Sequence, residues 1–203
     1  MMEIPKLIST LKKIKNINIP KHRIIKINYS YSEESDISVN LESLWKEYGE
    51  QIYKIFEKFD YPVFVRTELY SSSKLWEKTC FVNGYDIIKD NILNLFKSCF
   101  EKSIKFNYLI ISETLPFVTT KIKSNNRISY EYNVYINDNN DFVYEKRWCD
   151  ENIPDLSNSE IKTLTEITHK INEIKDLKKY IFTFSKDIKD KLWLTKIFLN
   201  NKS

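Results

Sequence analysis

Apolar positions recur at helical spacing in three stretches of the chain and at strand spacing in several others. Leu41, Leu44, Trp45, Tyr48, Ile52, Ile55, Phe56 and Phe59 mark one face of a helix that Asn40 would cap and Pro62 would close. Ile88, Ile92, Leu95, Phe96 and Cys99 predict a second helix, capped by Asp86 and reaching Glu101. Ile161, Leu164, Ile167, Ile171 and Ile174 predict a third, opened by Ser157 and Glu160 in capping-box spacing. Each stripe reads as a core-facing surface.

The strand signals lie between these helices. Val63–Thr67, Thr79–Val82 and Tyr108–Ser112 are short apolar runs, the last ending at Glu113. Ser129–Ile136 alternates: Tyr130, Tyr132, Val134 and Ile136 point one way, and Glu131, Asn133 and Tyr135 the other. Asn137–Asp141 has turn chemistry, and Phe142–Trp148 returns as a second strand. Tyr180–Phe184 and Leu192–Phe198 predict a closing hairpin. Before residue 41, Pro5 and Pro20 bracket a short amphipathic stretch, Arg23–Tyr29 alternates weakly, and residues 31–39 read as a loop. The order predicts an α+β chain in two halves, 41–120 and 121–203, after a basic N-terminal segment 1–40.

Composition narrows the chemistry. Two glycines, Gly49 and Gly84, leave no Walker A loop and no GxGxxG fingerprint, because both need glycine where backbone meets phosphate. His22 and His169 lack ligand-spaced partners, which argues against a histidine zinc site. Cys80 and Cys99 sit in apolar runs as small core side chains, and Cys149 has no evident histidine partner for a nucleophile. Three widely spaced cysteines fit a reducing compartment. With no signal-type apolar region and no membrane-length run, the expectation is a soluble cytoplasmic protein with no membrane partner. Net charge is +4, and seven Lys/Arg fall between Lys6 and Lys26 with no acid among them. That cluster reads first as a solvated basic face. The alternative is a contact with nucleic acid or an acidic protein.

One segment carries more specific information. Residues 61–82, YPVFVRTELYSSSKLWEKTCFV, present Pro62, an apolar strand, Arg66-Thr67, a small-residue loop at Ser71–Ser73 with Lys74, then Trp76, Lys78-Thr79 and a second strand. This order resembles the block that opens the nucleotide-binding half of ATP-grasp proteins. The resemblance is to a branch common in phages and related to cell-division-cycle translation-factor assembly proteins. It extends in register: YLIISETLPF resembles the hinge strand, SYEYNVYI the strand with Glu-x-Arg, FVYEKRW its hairpin partner, and YIFTFSKDIKDKLWLTKIF the terminal hairpin with the metal-binding carboxylates.

The resemblance implies an ATP-grasp-like fold: two α+β lobes with a nucleotide cleft between them. It implies ATP as ligand and an acyl-phosphate ligase reaction on a protein or peptide partner, with Arg66, Lys74, Lys78, Glu113, Glu131 and Lys196 at nucleotide-binding positions. No catalytic residue is assigned. Several positions depart from the family pattern: Ser112 stands for an arginine, Asn133 for the arginine of Glu-x-Arg, and Thr183 for an aspartate. Lys196 and Phe198 replace acidic or Asn ligands, and Leu192–Leu199 contains no Asp, Glu or Asn. Asn200, Asp187 and Asp190 are the acids and amides left nearby. The departures predict weakened or lost ligation and argue against magnesium. Lys196 then takes the place of the metal's positive charge.

Overall fold

A computed structural model describes residues 3–28, 36–68, 76–117, 119–121, 127–137, 141–147, 152–174 and 180–199. The chain forms two compact units, Lys21–Thr114 and the combination of Met1–Pro20 with Leu115–Ser203.

The first unit is built on an antiparallel four-stranded sheet in the order β1-β4-β2-β3. Its strands are β1 (His22–Lys26), β2 (Val63–Thr67), β3 (Phe81–Val82) and β4 (Tyr108–Glu113). Register places Ile25, Leu109, Ile111, Val63 and Val65 on one face. That face packs on two helices, α2 (Ile37–Phe56) and α4 (Ile88–Glu101), through Leu44, Ile52, Phe56, Ile92, Leu95 and Phe96. Cys80 and Cys99 lie fully buried in this core as free thiols. Burial pushes the Cys99 thiol up to about 12, so it behaves as an inert apolar side chain.

Three boundaries differ from the sequence expectations. The α2 helix starts before Asn40: Asp36 is its N-cap, with its carboxylate accepting from Ser38 N–H at 2.8 Å, and Asn40 is buried one turn in. Thr79 belongs not to a strand but to a short helix, α3 (Trp76–Thr79). Asp86 is not a helix cap: it lies in a 3-10 turn, Tyr85–Ile87, and α4 begins without a side-chain cap.

The second unit has an antiparallel sheet in the order β10-β9-β7-β8 and a separate hairpin of β5 (Thr119–Lys121) and β6 (Arg127–Ser129). Its main strands are β7 (Glu131–Ile136), β8 (Phe142–Lys146), β9 (Tyr180–Lys186) and β10 (Leu192–Leu199). Tyr132, Val134, Phe182, Phe184 and Leu194 form the apolar face, which joins a core with Leu164, Ile167 and Ile171 of α5 (Asn158–Asn172).

The N-terminal segment that the sequence sets apart as 1–40 is divided. Residues from His22 form β1 of the first sheet. The helix α1 (Ile4–Leu11), with Pro5 in its first turn, sinks Leu7 and Leu11 to 0% exposure in the second core. Lys6, Lys12 and Lys13 on the same stretch stay exposed and form the outer side of a packed amphipathic element, while Arg23 and Lys26 of the same basic cluster lie on β1. Asn18 continues the attachment: its carbonyl accepts from Leu194 N–H at 2.8 Å and its side-chain amide donates to Leu192 O at 2.9 Å. Among the described residues no helix is long and apolar enough to cross a membrane.

The capping box at α5 forms as the sequence predicts, with Ser157 Oγ accepting from Glu160 N–H and the Glu160 carboxylate accepting from Ser157 N–H at 2.7 Å. Glu160 also meets Lys186 Nζ at 2.9 Å. Burial raises the Glu160 carboxyl, but the bonds from Ser157 and Lys186 outweigh it and leave the carboxyl below its usual range.

Two outcomes follow from this packing. Leu7→Ala removes a fully buried side chain and is expected to cost about 2–5 kcal/mol in urea unfolding; an unchanged midpoint would mean that α1 is not part of the core. Ser157→Ala is expected to cost about 1 kcal/mol. Because the folded Glu160 carboxyl is depressed, its contribution is present above the unfolded value near about pH 4.3 and is lost as pH falls through the lower folded value. The Ser157→Ala penalty, measured by thermal melts, should therefore shrink in that acid window.

Candidate functional site

Two of the six sequence-predicted site residues, Glu131 and Lys196, meet on the polar face of the second sheet. Strand alternation that sends Tyr132 and Val134 into the core sends Glu131, Asn133 and Tyr135 to the other side. Antiparallel register brings Glu145 opposite Asn133 on β8, and Thr183 and Ser185 opposite Asn133 and Glu131 on β9. Arg147, just past β8, donates its backbone N–H to Glu131 O at 2.9 Å and so falls opposite Glu131.

The edge strand β10 is irregular at the decisive point. Leu194 pairs with Phe184 and faces the core, yet the next paired residue is Lys196, opposite Thr183. Thr195 is the extra residue of a β-bulge. Without that insertion, alternation would turn Lys196 toward the core. With it, Thr195 and Lys196 both address the polar side: Thr195 Oγ1 donates to Thr183 O at 3.2 Å and lies 2.8 Å from Ser185 Oγ.

Lys196 Nζ then reaches both carboxylate oxygens of Glu131, at 2.9 Å and 3.2 Å. Arg147 Nη1 lies 3.2 Å from Glu131 Oε2, and Ser129 Oγ donates to Oε1 at 3.0 Å. Glu131 is 5% exposed, so these are charge-assisted contacts in a poorly hydrated place. In the adjoining row Thr183 Oγ1 donates to Asn133 Oδ1 at 2.8 Å. Asn133, Thr183 and Lys196, three of the positions that depart from the resemblance in this half, are thus neighbours across three strands.

The residues present do not fit a magnesium ion. Magnesium needs near-octahedral oxygen donors at about 2.1 Å. Here an ammonium lies against both oxygens of Glu131, with a guanidinium beside it. Among the described residues no group of three or more His, Cys, Asp or Glu side chains converges.

The acids of the terminal hairpin, which the sequence leaves as substitutes, are already engaged. Asp187 accepts from Lys189 N–H at 2.8 Å, Lys191 N–H at 2.9 Å and Trp193 Nε1–H at 2.8 Å. Burial raises the Asp187 carboxyl, but the Trp193 and backbone donors outweigh it and hold it below its ordinary range. Asp190 pairs with Lys186 Nζ at 3.0 Å. Both acids organise the turn between β9 and β10.

The remaining site residues lie in the first unit. Arg66 is opposite Ile110 on β4, on the sheet face away from the helices, together with Phe64 and Ser112. Its guanidinium donates to Thr67 O at 3.3 Å, and burial lowers it to about 10, which leaves it charged at neutral pH. Glu113 is spent on the backbone: its carboxylate accepts from Lys21 N–H at 2.6 Å and its N–H donates to Lys21 O at 2.9 Å, closing the end of β1 on β4. Register puts Glu113 with Val63, on the face opposite Arg66. Lys78 is exposed in the last turn of α3. Lys74, with the Ser71–Ser73 loop, lies outside the described residues, as do Trp148, Cys149 and Asn200.

Sequence reasoning overlooked Arg147, Ser129 and the Thr195 bulge. Arg147 was within reach: extending the hairpin register Tyr132↔Lys146 by one step puts it beside Glu131. The bulge had no sequence signal, since threonine is an ordinary strand residue.

No protein-family model matches the sequence, and no curated protein matches it. Solved structures do. The chain is similar to an N5-carboxyaminoimidazole ribonucleotide synthetase in its ADP complex, at 9% identity and a TM-score of 0.54, over 95% of this chain and 43% of that one. It is also similar to the D-alanine-D-alanine ligase from Helicobacter pylori, at 16% identity and a TM-score of 0.52, over 96% of this chain and 50% of that one. Both are ATP-grasp enzymes, and the likeness shows that the fold is ATP-grasp-like. The chain spans half or less of their length.

Lys196→Met strips one cation from Glu131 and is expected to cost about 1.5–3 kcal/mol in urea unfolding. Lys196→Met combined with Glu131→Gln should recover part of that loss, because the two residues act as a pair; strictly additive costs would contradict the contact. For Asp187, whose folded carboxyl is depressed, the stabilisation is present above the unfolded value of about 3.9 and is lost as pH falls through the folded one. Asp187→Asn should accordingly flatten the acid limb of a stability–pH curve followed by Trp fluorescence.

Proposed function

We propose that this chain is an ATP-grasp-fold protein that binds a nucleotide or a protein partner and has weak or no ligase activity. The observation that carries the reading is the Lys196 ammonium on both oxygens of Glu131, where ligation by a metal-bound triphosphate needs an open carboxylate. Support for nucleotide comes from the ATP-grasp-like fold, from a similar protein solved with ADP, and from the ordered Arg66, Lys74 and Lys78 in the segment that resembles the family's opening block. The same motif order favours the phage and translation-factor assembly branch. The buried free thiols of Cys80 and Cys99 favour a reducing, cytoplasmic setting.

The test is calorimetry with ATP, paired with a phosphate-release assay in magnesium. The expected result is ATP binding that Lys74→Ala weakens, with turnover at background. Robust magnesium-dependent turnover that Lys74→Ala abolishes would establish an active carboxylate–amine ligase instead. No ATP binding with or without magnesium would remove the nucleotide reading.

A further inference from the structure

We propose that Lys196 is a built-in replacement for a divalent cation on Glu131, so that this sheet face excludes metal and takes a polyphosphate anion, of the nucleoside di- or triphosphate class, in metal-free form. The ligand half of this proposal rests on the function proposed above. The metal half stands on the side chains alone.

Four observations lead there. The Lys196 ammonium spans both oxygens of Glu131, occupying the volume in which a cation would have to sit. Arg147 adds a second positive charge on Oε2, so two cations answer one carboxylate and the three side chains sum to a net positive charge. A divalent ion brought to Glu131 would be repelled by both. The lysine also does not reach this place by simple strand alternation: the Thr195 bulge aims it there while Leu194 and Ile197 on either side keep their core contacts. Finally, the oxygen groups nearby have partners, Asn133 Oδ1 to Thr183, Glu145 Oε1 to the Tyr135 hydroxyl, Asp187 to three N–H donors and Asp190 to Lys186.

A lysine ammonium is a compact point charge that binds phosphate well. It carries half the charge of a divalent ion and cannot offer several coordination positions at once. Such a site can hold a polyphosphate in place while doing little for phosphoryl transfer, in keeping with a binding role.

The experiment uses the full chain and Mn²⁺ as the probe, with free Mn²⁺ read by electron paramagnetic resonance. Wild type and Lys196→Arg are expected to leave Mn²⁺ unbound up to ~1 mM, the weak end of protein sites for oxygen-ligated cations. Lys196→Asn removes the charge and adds an amide oxygen, so it should bind Mn²⁺ at least about tenfold tighter than wild type. Adding Glu131→Gln should abolish that gain. In parallel, ADP titrations in EDTA and in magnesium should agree for wild type and diverge for Lys196→Asn. Wild-type Mn²⁺ binding that Glu131→Gln removes would overturn the proposal, as would a folded Lys196→Asn that gains none. Should Lys196→Asn not fold, Lys196→Gln serves for the same comparison, and the wild-type titration needs no variant. If ADP binds to none of these proteins, the nucleotide function falls, while the Mn²⁺ titrations still decide the role of Lys196.

Discussion

A carboxylate withdrawn from water must be met by charge or by strong donors, and Glu131, at 5% exposure, sets that requirement at the start of the inner strand β7. Lys196, Arg147 and Ser129 meet it from β10, the end of β8 and the end of β6. The pairing also dictates backbone shape. Leu194 and Ile197 belong to the core, and strict alternation would carry Lys196 with Leu194 into the apolar side. One extra residue at Thr195 resolves the conflict between core parity and charge parity. A small local irregularity thus lets a hydrophobic core and an ion cluster share one edge strand.

The departures from the family pattern form a coherent set once they are placed in space. The resemblance puts an arginine where Asn133 stands and an aspartate where Thr183 stands, two opposite charges at directly paired positions. The residues present are an amide and a hydroxyl that hydrogen-bond each other at 2.8 Å, with no charge on either. Lys196, opposite Thr183 in the same row, is a cation where the resemblance would put an acidic or amide ligand.

Elsewhere acids serve the backbone. Glu113 closes β1 on β4 through Lys21, Glu68 accepts from the N–H groups of Asn107 and Tyr108 at the other end of β4, and Asp187 builds the β9–β10 turn. Each sits at a strand end, where N–H groups lack ladder partners and a carboxylate is an effective acceptor. Residue type in a functional-looking position is therefore a weak guide to chemistry when the neighbouring strand end needs an acceptor.

By itself the sequence determined the α+β class, the helical stripes, β2, β4, β7 and the terminal hairpin, the α5 capping box and the two faces of β7, because hydrophobic periodicity and capping chemistry are local. Motif order also grouped Glu131 with Lys196, and the two side chains are in contact. The tertiary structure alone decided the rest. The N-terminal helix joins the second core because Leu7 and Leu11 need a partner that lies more than a hundred residues away in sequence. Asp36, rather than Asn40, caps α2 because the carboxylate meets the Ser38 N–H. Lys196 turns to Glu131 and not to the core because of a register shift at Thr195, and register is set by which side chains must be buried on the partner strand, which no single strand's sequence records.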